Sequence, residues 1–198
     1  MKQMLSTFAL AASMLFAALP IQAATTTYRA TLSGPGEATP NASPGTGLVT
    51  LVLDDAAMTA KLHVSFADLL AGSTAAHIHC CTVSPLTGNA GVATMTPTFI
   101  DFPTGVTSGT YDHDFSLTDS SFYNPAFVTA HGGTAATAAT FLLNGIALNE
   151  AYFNIHTSQY PGGEIRGFLV AAPIPEPDSW AMLGIGLAGI AFCYRRRA

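Results

Sequence analysis

The sequence predicts an all-β domain, a β-sandwich or partly closed barrel of mostly antiparallel strands, with one or two short helices inserted before the last strands. Two observations support this fold class. Apolar and polar residues alternate along several segments, which is the period of a half-buried strand. Turns rich in glycine and proline separate these segments. The residues between the two hydrophobic ends of the 198-residue chain are sufficient for one domain of ordinary size.

The first half of this domain is predicted to consist of strands joined by turns. A loop over residues 34–47 contains three prolines and four glycines. Asp54-Asp55-Ala56 is predicted to form the turn of a hairpin. The strands are predicted at residues 27–32, 48–53, 58–66, 75–82 and 107–117.

The second half begins with the helical insertion. Asn124 is expected to cap a short helix that has Pro125 at its first position and ends at Gly132-Gly133. A second helix is predicted over about residues 134–143. Strands at 151–156 and 164–170, joined by the turn Pro161-Gly162-Gly163, are expected to close the domain.

The amino terminus has the pattern of a secretory signal peptide. Lys2 precedes an apolar stretch over residues 5–19, and small residues follow around Ala23. We therefore expect residues 1–23 to be a signal peptide that the Sec export machinery recognises, and residues 24–172 to form the folded domain.

The carboxyl terminus, residues 173–198, has three parts. Pro175-Glu176-Pro177 precedes an uncharged apolar stretch that ends at Tyr194, and Arg195, Arg196 and Arg197 follow. The apolar stretch predicts a short transmembrane helix, and the arginines hold its end on the cytoplasmic side. These parts together closely resemble the PEP-CTERM sorting signal. The resemblance implies that an exosortase-type transpeptidase reads the tripeptide and that the protein is then released or attached at the cell surface. An ordinary membrane anchor is the alternative.

The charge of the folded part excludes some partners. Residues 24–172 contain only three cations and ten carboxylates. Such a domain has no electrostatic footprint for nucleic acid, and anionic lipid surfaces repel it. We therefore expect membrane contact through the termini only.

Three segments of the folded part resemble the CHRD domain, named for its occurrence in chordin. They are Ala76-His77-Ile78-His79, residues 151–157 and residues 161–169, and residues 28–34 fit the start of that domain. The resemblance spans about residues 28–170 and implies an immunoglobulin-like β-barrel, but it implies no defined activity. The sequence departs from the family where Cys80-Cys81 replaces the glycine that often follows the second histidine.

The histidines are the strongest candidates for chemistry. His77 and His79 share one face of a strand, because they are two residues apart. His156 lies opposite Phe153 and Ile155, and His63 lies opposite its apolar neighbours. The sequence therefore predicts that all four project away from the core.

Converging imidazoles suit copper or zinc. The hypothesis is a metal site formed by His77, His79 and His156, with His63 as an optional fourth ligand. Two alternatives stay open at this point: the histidines hold strand ends together through hydrogen bonds, or they are ordinary surface residues.

Two further pairs of residues carry predictions. For Cys80 and Cys81, in an oxidising compartment, a vicinal disulfide ranks first, free or metal-bound thiols second and intermolecular bridging third. Glu164 and Arg166 are two residues apart on one predicted strand, so they can pair, in a structural role.

Taken together, these features indicate an exported, surface-sorted binding or structural module of the envelope or the extracellular polysaccharide matrix. The alternative is a small copper- or zinc-dependent redox enzyme that uses the His-x-His strand. No catalytic residue is assigned, because the sequence has no Ser-His-Asp signature, phosphate-binding glycine loop or zinc-protease motif.

Overall fold

A computed structural model describes residues 25–173. Within that range the chain forms one curled, mostly antiparallel sheet with two short α-helices before the last strands, which confirms the predicted fold class. The strands are β1 (Thr25–Ser33), β2 (Thr46–Asp54), β3 (Thr59–Ala67), β4 (Ser73–His79), β5 (Gly109–Ser116), β6 (Tyr152–Thr157), β7 (Ile165–Phe168) and β8 (Val170–Ala171).

The order of strands across the sheet is β4-β6-β7-β1-β2-β3-β5, and β8 pairs with β1 beside β7. Strands β1, β2 and β3 pair consecutively, and the β2–β3 hairpin is the one that the sequence predicts. The Asp54 carboxylate fixes the second hairpin turn by accepting hydrogen bonds from the backbone N–H groups of Ala56 and Ala57. Alternate residues such as Val49, Leu51 and Leu53 are buried in the core.

The helices begin where the predicted caps place them. Helix α1 spans Pro125–Ala130, and the Asn124 side chain accepts from the backbone of Ala126. Helix α2 spans Ala135–Ala147 and starts with a capping box between Thr134 and Thr137. It continues four residues beyond the predicted end, because the apolar face goes on through the buried Ile146.

A loop segment, residues 90–99, covers the outer edge of β4. Cys80 donates its backbone N–H to the Gly91 carbonyl, and Ala93 donates to the Ile78 carbonyl. The threonine hydroxyls of this segment accept from β4 as well, since Thr94 accepts from the backbone of Ile78. Phe99 anchors the segment in the core, where its ring stacks on Phe153 at 5.9 Å. The segment therefore occupies backbone hydrogen-bonding groups of the edge strand β4 that could otherwise pair with a strand of another molecule.

The predicted signal peptide and the carboxyl-terminal segment from residue 174 onward lie outside the described residues. Between residues 25 and 173, no helix combines the length and the apolar character that a membrane span requires.

Candidate metal centre

Three histidines from two adjacent strands converge on one point. His77 and His79 lie on β4 and His156 lies on β6, and each offers a ring nitrogen within 4.8 Å of those of the other two. The strand register produces this arrangement, because Ala75 pairs with His156 and His77 pairs with Asn154 across the β4–β6 ladder. Residues paired in this way share a face of the sheet. The structure therefore brings three of the four predicted ligands together.

The second nitrogen of each ring is bound to a backbone carbonyl. His77 Nε2 lies 2.7 Å from the Pro97 carbonyl oxygen, His79 Nδ1 lies 3.0 Å from that of Ala90, and His156 Nδ1 lies 3.0 Å from that of Pro161. A carbonyl only accepts, so each of these nitrogens carries the proton. The residue 90–99 segment supplies two of the carbonyls, and the β6–β7 turn supplies the third.

The hydrogen bonds to the carbonyls fix the tautomer of each ring. The remaining nitrogens, Nδ1 of His77 and Nε2 of His79 and His156, are therefore unprotonated and carry lone pairs. All three are buried, and none has a hydrogen-bond partner among residues 25–173. Histidines that bind metals usually donate the other ring N–H to a carbonyl or carboxylate in this way.

Burial keeps the rings neutral. It lowers the pKa of His77 and of His79 from 6.5 to about 4, against the opposing effect of the carbonyl hydrogen bonds. Burial also lowers the pKa of His156. A metal ligand must be unprotonated, so at neutral pH the three rings are in the form that binds an ion.

Two polar side chains lie next to the three histidines on the same face. Asn154 stands between His77 and Arg166 in the strand register, two residues before His156. Glu37, from the loop after β1, lies near Asn154, because a Cβ atom at Gly163 would contact both side chains. Both side chains are more than nine-tenths buried. Burial raises the pKa of Glu37 to about 7, although Arg166 and Asn154 oppose the rise. The alternation of residues along β6 could have placed Asn154 on the same face as His156. Glu37 lies in a loop without a periodic pattern, so the sequence gave no indication of its position.

His63 is not part of this cluster, and its prediction as an optional fourth ligand is not supported by its position. It lies on β3, and four strands separate β3 from β4 in the sheet order. Its Nδ1 is 2.6 Å from the Asp112 carboxylate on β5, and both side chains are exposed. The alternation of residues along β3 correctly indicated that the His63 side chain points away from the core. Alternation gives no information on the order of strands in the sheet.

Glu164 and Arg166 do not form the pair that their spacing allowed. The Glu164 carboxylate is fully buried and accepts from Ser43 Oγ, Thr157 Oγ1 and the backbone N–H of Leu70. Arg166 instead lies 3.8 Å from the Glu37 carboxylate. Only Arg166 lies within β7, which begins at Ile165, so the two side chains do not have the strand spacing that the prediction assumed.

Cys80 and Cys81 follow the cluster directly. Their Sγ atoms are bonded to each other, and the peptide bond between them is cis. The disulfide packs against Gly145 of α2, where a Cβ atom would occupy the space of both sulfurs. This is the arrangement that ranked first in the sequence analysis, and it leaves no thiol beside the histidines to act as a ligand.

Two family descriptions match the chain. A CHRD domain model matches residues 28–169, and a PEP-CTERM protein-sorting motif matches residues 173–197. No curated protein and no solved structure is similar enough to be matched to the chain.

Proposed function

The chain belongs to the CHRD domain family, and from this premise we propose that it is a surface-displayed module that binds one transition-metal ion through His77, His79 and His156. The PEP-CTERM motif marks the protein as exported, anchored at its carboxyl terminus and sorted to the cell surface by machinery of the exosortase type. The working unit in this proposal is the domain over residues 24–172, after the signal peptide and the sorting segment have been removed.

One observation carries the metal proposal. Each of the three imidazoles, two buried and one half-buried, donates one N–H to a backbone carbonyl and keeps its other nitrogen buried without a partner. An unpaired polar atom in a protein interior is costly, by roughly 1–3 kcal/mol. Three such atoms within 4.8 Å of one another are best explained by a cation that binds all of them.

The ligand chemistry favours zinc or copper. An all-imidazole set suits borderline ions, whereas magnesium and calcium prefer oxygen ligands. Zinc binds imidazole nitrogen at about 2.0–2.1 Å, so tetrahedral coordination would place the three nitrogens about 3.4 Å apart. Each ring would need to move by less than about 1 Å from its present position to reach that geometry. The excess of carboxylates over cations also attracts cations to the domain as a whole.

The test is metal stoichiometry in the mature protein, purified without a histidine tag and offered zinc or copper. Elemental analysis and calorimetry are expected to give one ion per chain, and His77→Gln, His79→Gln and His156→Gln are each expected to abolish stoichiometric binding. His63→Gln is the matched control, because His63 is a strand histidine outside the cluster. Wild-type protein that binds no stoichiometric metal would refute the proposal.

The biological role we propose is that of a binding or structural module in the envelope or in the extracellular polysaccharide matrix. A redox enzyme of the same fold would show copper-dependent turnover of superoxide or peroxide. A matrix module would show none, and it would stay associated with polysaccharide or cells after metal loading. Turnover that His77→Gln eliminates would favour the enzyme.

A further inference from the structure

The histidine nitrogens are not the only buried atoms of this region without a partner. Throughout residues 25–173, five buried side-chain nitrogen and oxygen atoms lack a hydrogen-bond partner: Nδ1 of His77, Nε2 of His79, Nε2 of His156, Oδ1 of Asn154 and Oε1 of Glu37. The first three converge in the metal site, and the other two are acceptors. A metal ion alone satisfies the nitrogens but leaves both oxygens without a donor.

Asn154 lies beside the histidines, and its Oδ1 lies close to Glu37 Oε1. Asn154 pairs with His77 across the ladder and precedes His156 by two residues, so its side chain lies on the face of the cluster. Both oxygens lie beside Gly163, because a Cβ atom at that residue would lie 2.7 Å from Asn154 Oδ1 and 2.8 Å from Glu37 Oε1. Gly163 belongs to the same turn as Pro161, whose carbonyl accepts from His156.

Glu37 is not one of the residues whose ligand atoms lie within 4.8 Å of one another in the histidine cluster. Direct ligation would require an oxygen about 2.0–2.2 Å from the ion. An intervening water spans more, since about 2.1 Å from metal to water adds to about 2.7 Å from water to acceptor. Contact through a water therefore requires Glu37 to come less close to the ion than direct ligation does.

We propose that the metal held by the three histidines carries an exchangeable water as its fourth ligand, which donates its two hydrogens to Asn154 Oδ1 and Glu37 Oε1. This inference rests on the proposed metal site and deepens it. Structural zinc sites are closed by four protein ligands, whereas sites that act on small molecules keep three protein ligands and an open position. The site is accordingly of the open kind, and small ligands that coordinate the metal can replace the water.

The first test is anion binding to protein loaded with Co²⁺, which replaces zinc and has a visible absorption band that responds to its ligands. Azide is expected to change this band in a saturable way with one azide per cobalt. Asn154→Ala is expected to strengthen azide binding about fivefold, because the water that azide displaces has lost a hydrogen bond worth about 1 kcal/mol. Glu37→Gln is expected to strengthen it as well, since a negative charge beside the anion is also removed.

Matched controls are available for both variants. Asn144→Ala removes an exposed asparagine of α2, and Glu150→Gln neutralises a carboxylate outside the site. Neither is expected to change azide affinity. The inference is overturned if azide leaves the cobalt band unchanged, or if Asn154→Ala and Asn144→Ala bind azide equally.

A second measurement needs no variant and covers the case in which Asn154→Ala does not fold. Wild-type protein loaded with Cu²⁺ is transferred to D₂O, and electron-nuclear double resonance detects the exchangeable protons close to copper. Loss of strongly coupled proton signals supports a bound water, and no exchange overturns it.

If Co²⁺ and Cu²⁺ do not bind at all, the metal site itself fails. If they bind through the three histidines without azide response or exchange, only the water inference fails.

Discussion

The guanidinium of Arg166 lies over the ring of Tyr152, with its central carbon 4.6 Å from the ring centroid. Tyr152 in turn stacks on the His79 imidazole at 4.9 Å, with the two planes only 8° apart. Arg166 also donates to Asn89 Oδ1 and to the Gly88 carbonyl, next to the Ala90 carbonyl that holds His79. The arginine therefore fixes both the ring that supports a candidate ligand and the loop that orients it.

Replacement of Arg166 is expected to lower both stability and metal affinity. Arg166→Met keeps most of the apolar stem but removes the donors to Gly36, Gly88 and Asn89 and leaves the Glu37 carboxylate buried beside no cation. Above the pKa of Glu37, about 7, the carboxyl is ionised and loss of its partner in this buried ion pair costs about 3–5 kcal/mol. Urea unfolding of the metal-free protein at a pH well above 7 is expected to show a loss of this order, and zinc calorimetry a weaker binding constant.

A double substitution separates the charge from the hydrogen bonds. Arg166→Met combined with Glu37→Gln is expected to be more stable than Arg166→Met alone, since no buried charge is left uncompensated. Arg29→Met is the control, because Arg29 is an exposed arginine of β1. Equal unfolding energies for Arg166→Met and Arg29→Met would contradict the role given to Arg166.

The metal-free protein is expected to lose stability in mild acid. The folded-state pKa values of His77 and His79 are about 4, below the ordinary 6.5, so the unfolded chain takes up protons first as the pH falls. The stability that these neutral rings contribute is complete above pH 6.5 and is lost as the pH falls through 4. The expected loss is roughly 1–3 kcal/mol per histidine.

Glu37 contributes to the same profile with the opposite sign. Its folded pKa of about 7 exceeds the ordinary 4.5, so its protonation favours the folded state between pH 7 and pH 4.5. The effect of the histidines on stability is therefore measured best in the Glu37→Gln variant, which has lost the opposing effect. Thermal unfolding of this variant at successive pH values gives the profile. Adding His77→Gln and His79→Gln is expected to flatten the profile, whereas adding His63→Gln is not. A Glu37→Gln profile without a fall between pH 6.5 and 4 would contradict the burial of neutral rings.

Local patterns in the sequence account for much of the fold. Alternation gave the hairpin of β2 and β3, Asn124 and Pro125 gave the start of α1, and the two-residue spacing placed His77 and His79 on one face. These features depend on neighbours along the chain, and a single sequence contains that information.

The site itself depends on contacts between distant parts of the chain. The order of strands in the sheet brings His156 beside His77 and places His63 on β3, which four strands separate from β4. The alternation of residues along each strand does not determine this order. The carbonyls of Ala90 and Pro97 come from a loop with no periodic pattern, and Glu37 comes from another. The start of β7 at Ile165 likewise separated Glu164 from Arg166. Such long-range relationships had no local signature.

Sorting is expected to depend on the tripeptide that precedes the apolar tail. Replacing Pro175, Glu176 and Pro177 with alanine removes the sequence that the sorting machinery reads and keeps the tail and arginines. The uncut precursor is expected to accumulate in the membrane fraction, as followed by immunoblot of fractionated cells. Asp55→Ala, in an exposed turn of the folded domain, should sort as the wild type does.

The disulfide explains why α2 contains a glycine in its interior. Alanine is favoured over glycine within a helix by about 1 kcal/mol, yet a Cβ at Gly145 would fall on the sulfurs of Cys80 and Cys81. Gly145→Ala is therefore expected to destabilise the oxidised protein by about 1–3 kcal/mol, the usual cost of overpacking. In a Cys80→Ala, Cys81→Ala background the sulfurs are absent and the Cβ of residue 81 remains 3.3 Å away, so after a shift of a few tenths of an ångström the same substitution is expected to stabilise the protein. Urea unfolding of the four proteins measures this reversal of sign, and a Gly145→Ala effect that is the same in both backgrounds would show that the sulfurs do not pack against the helix.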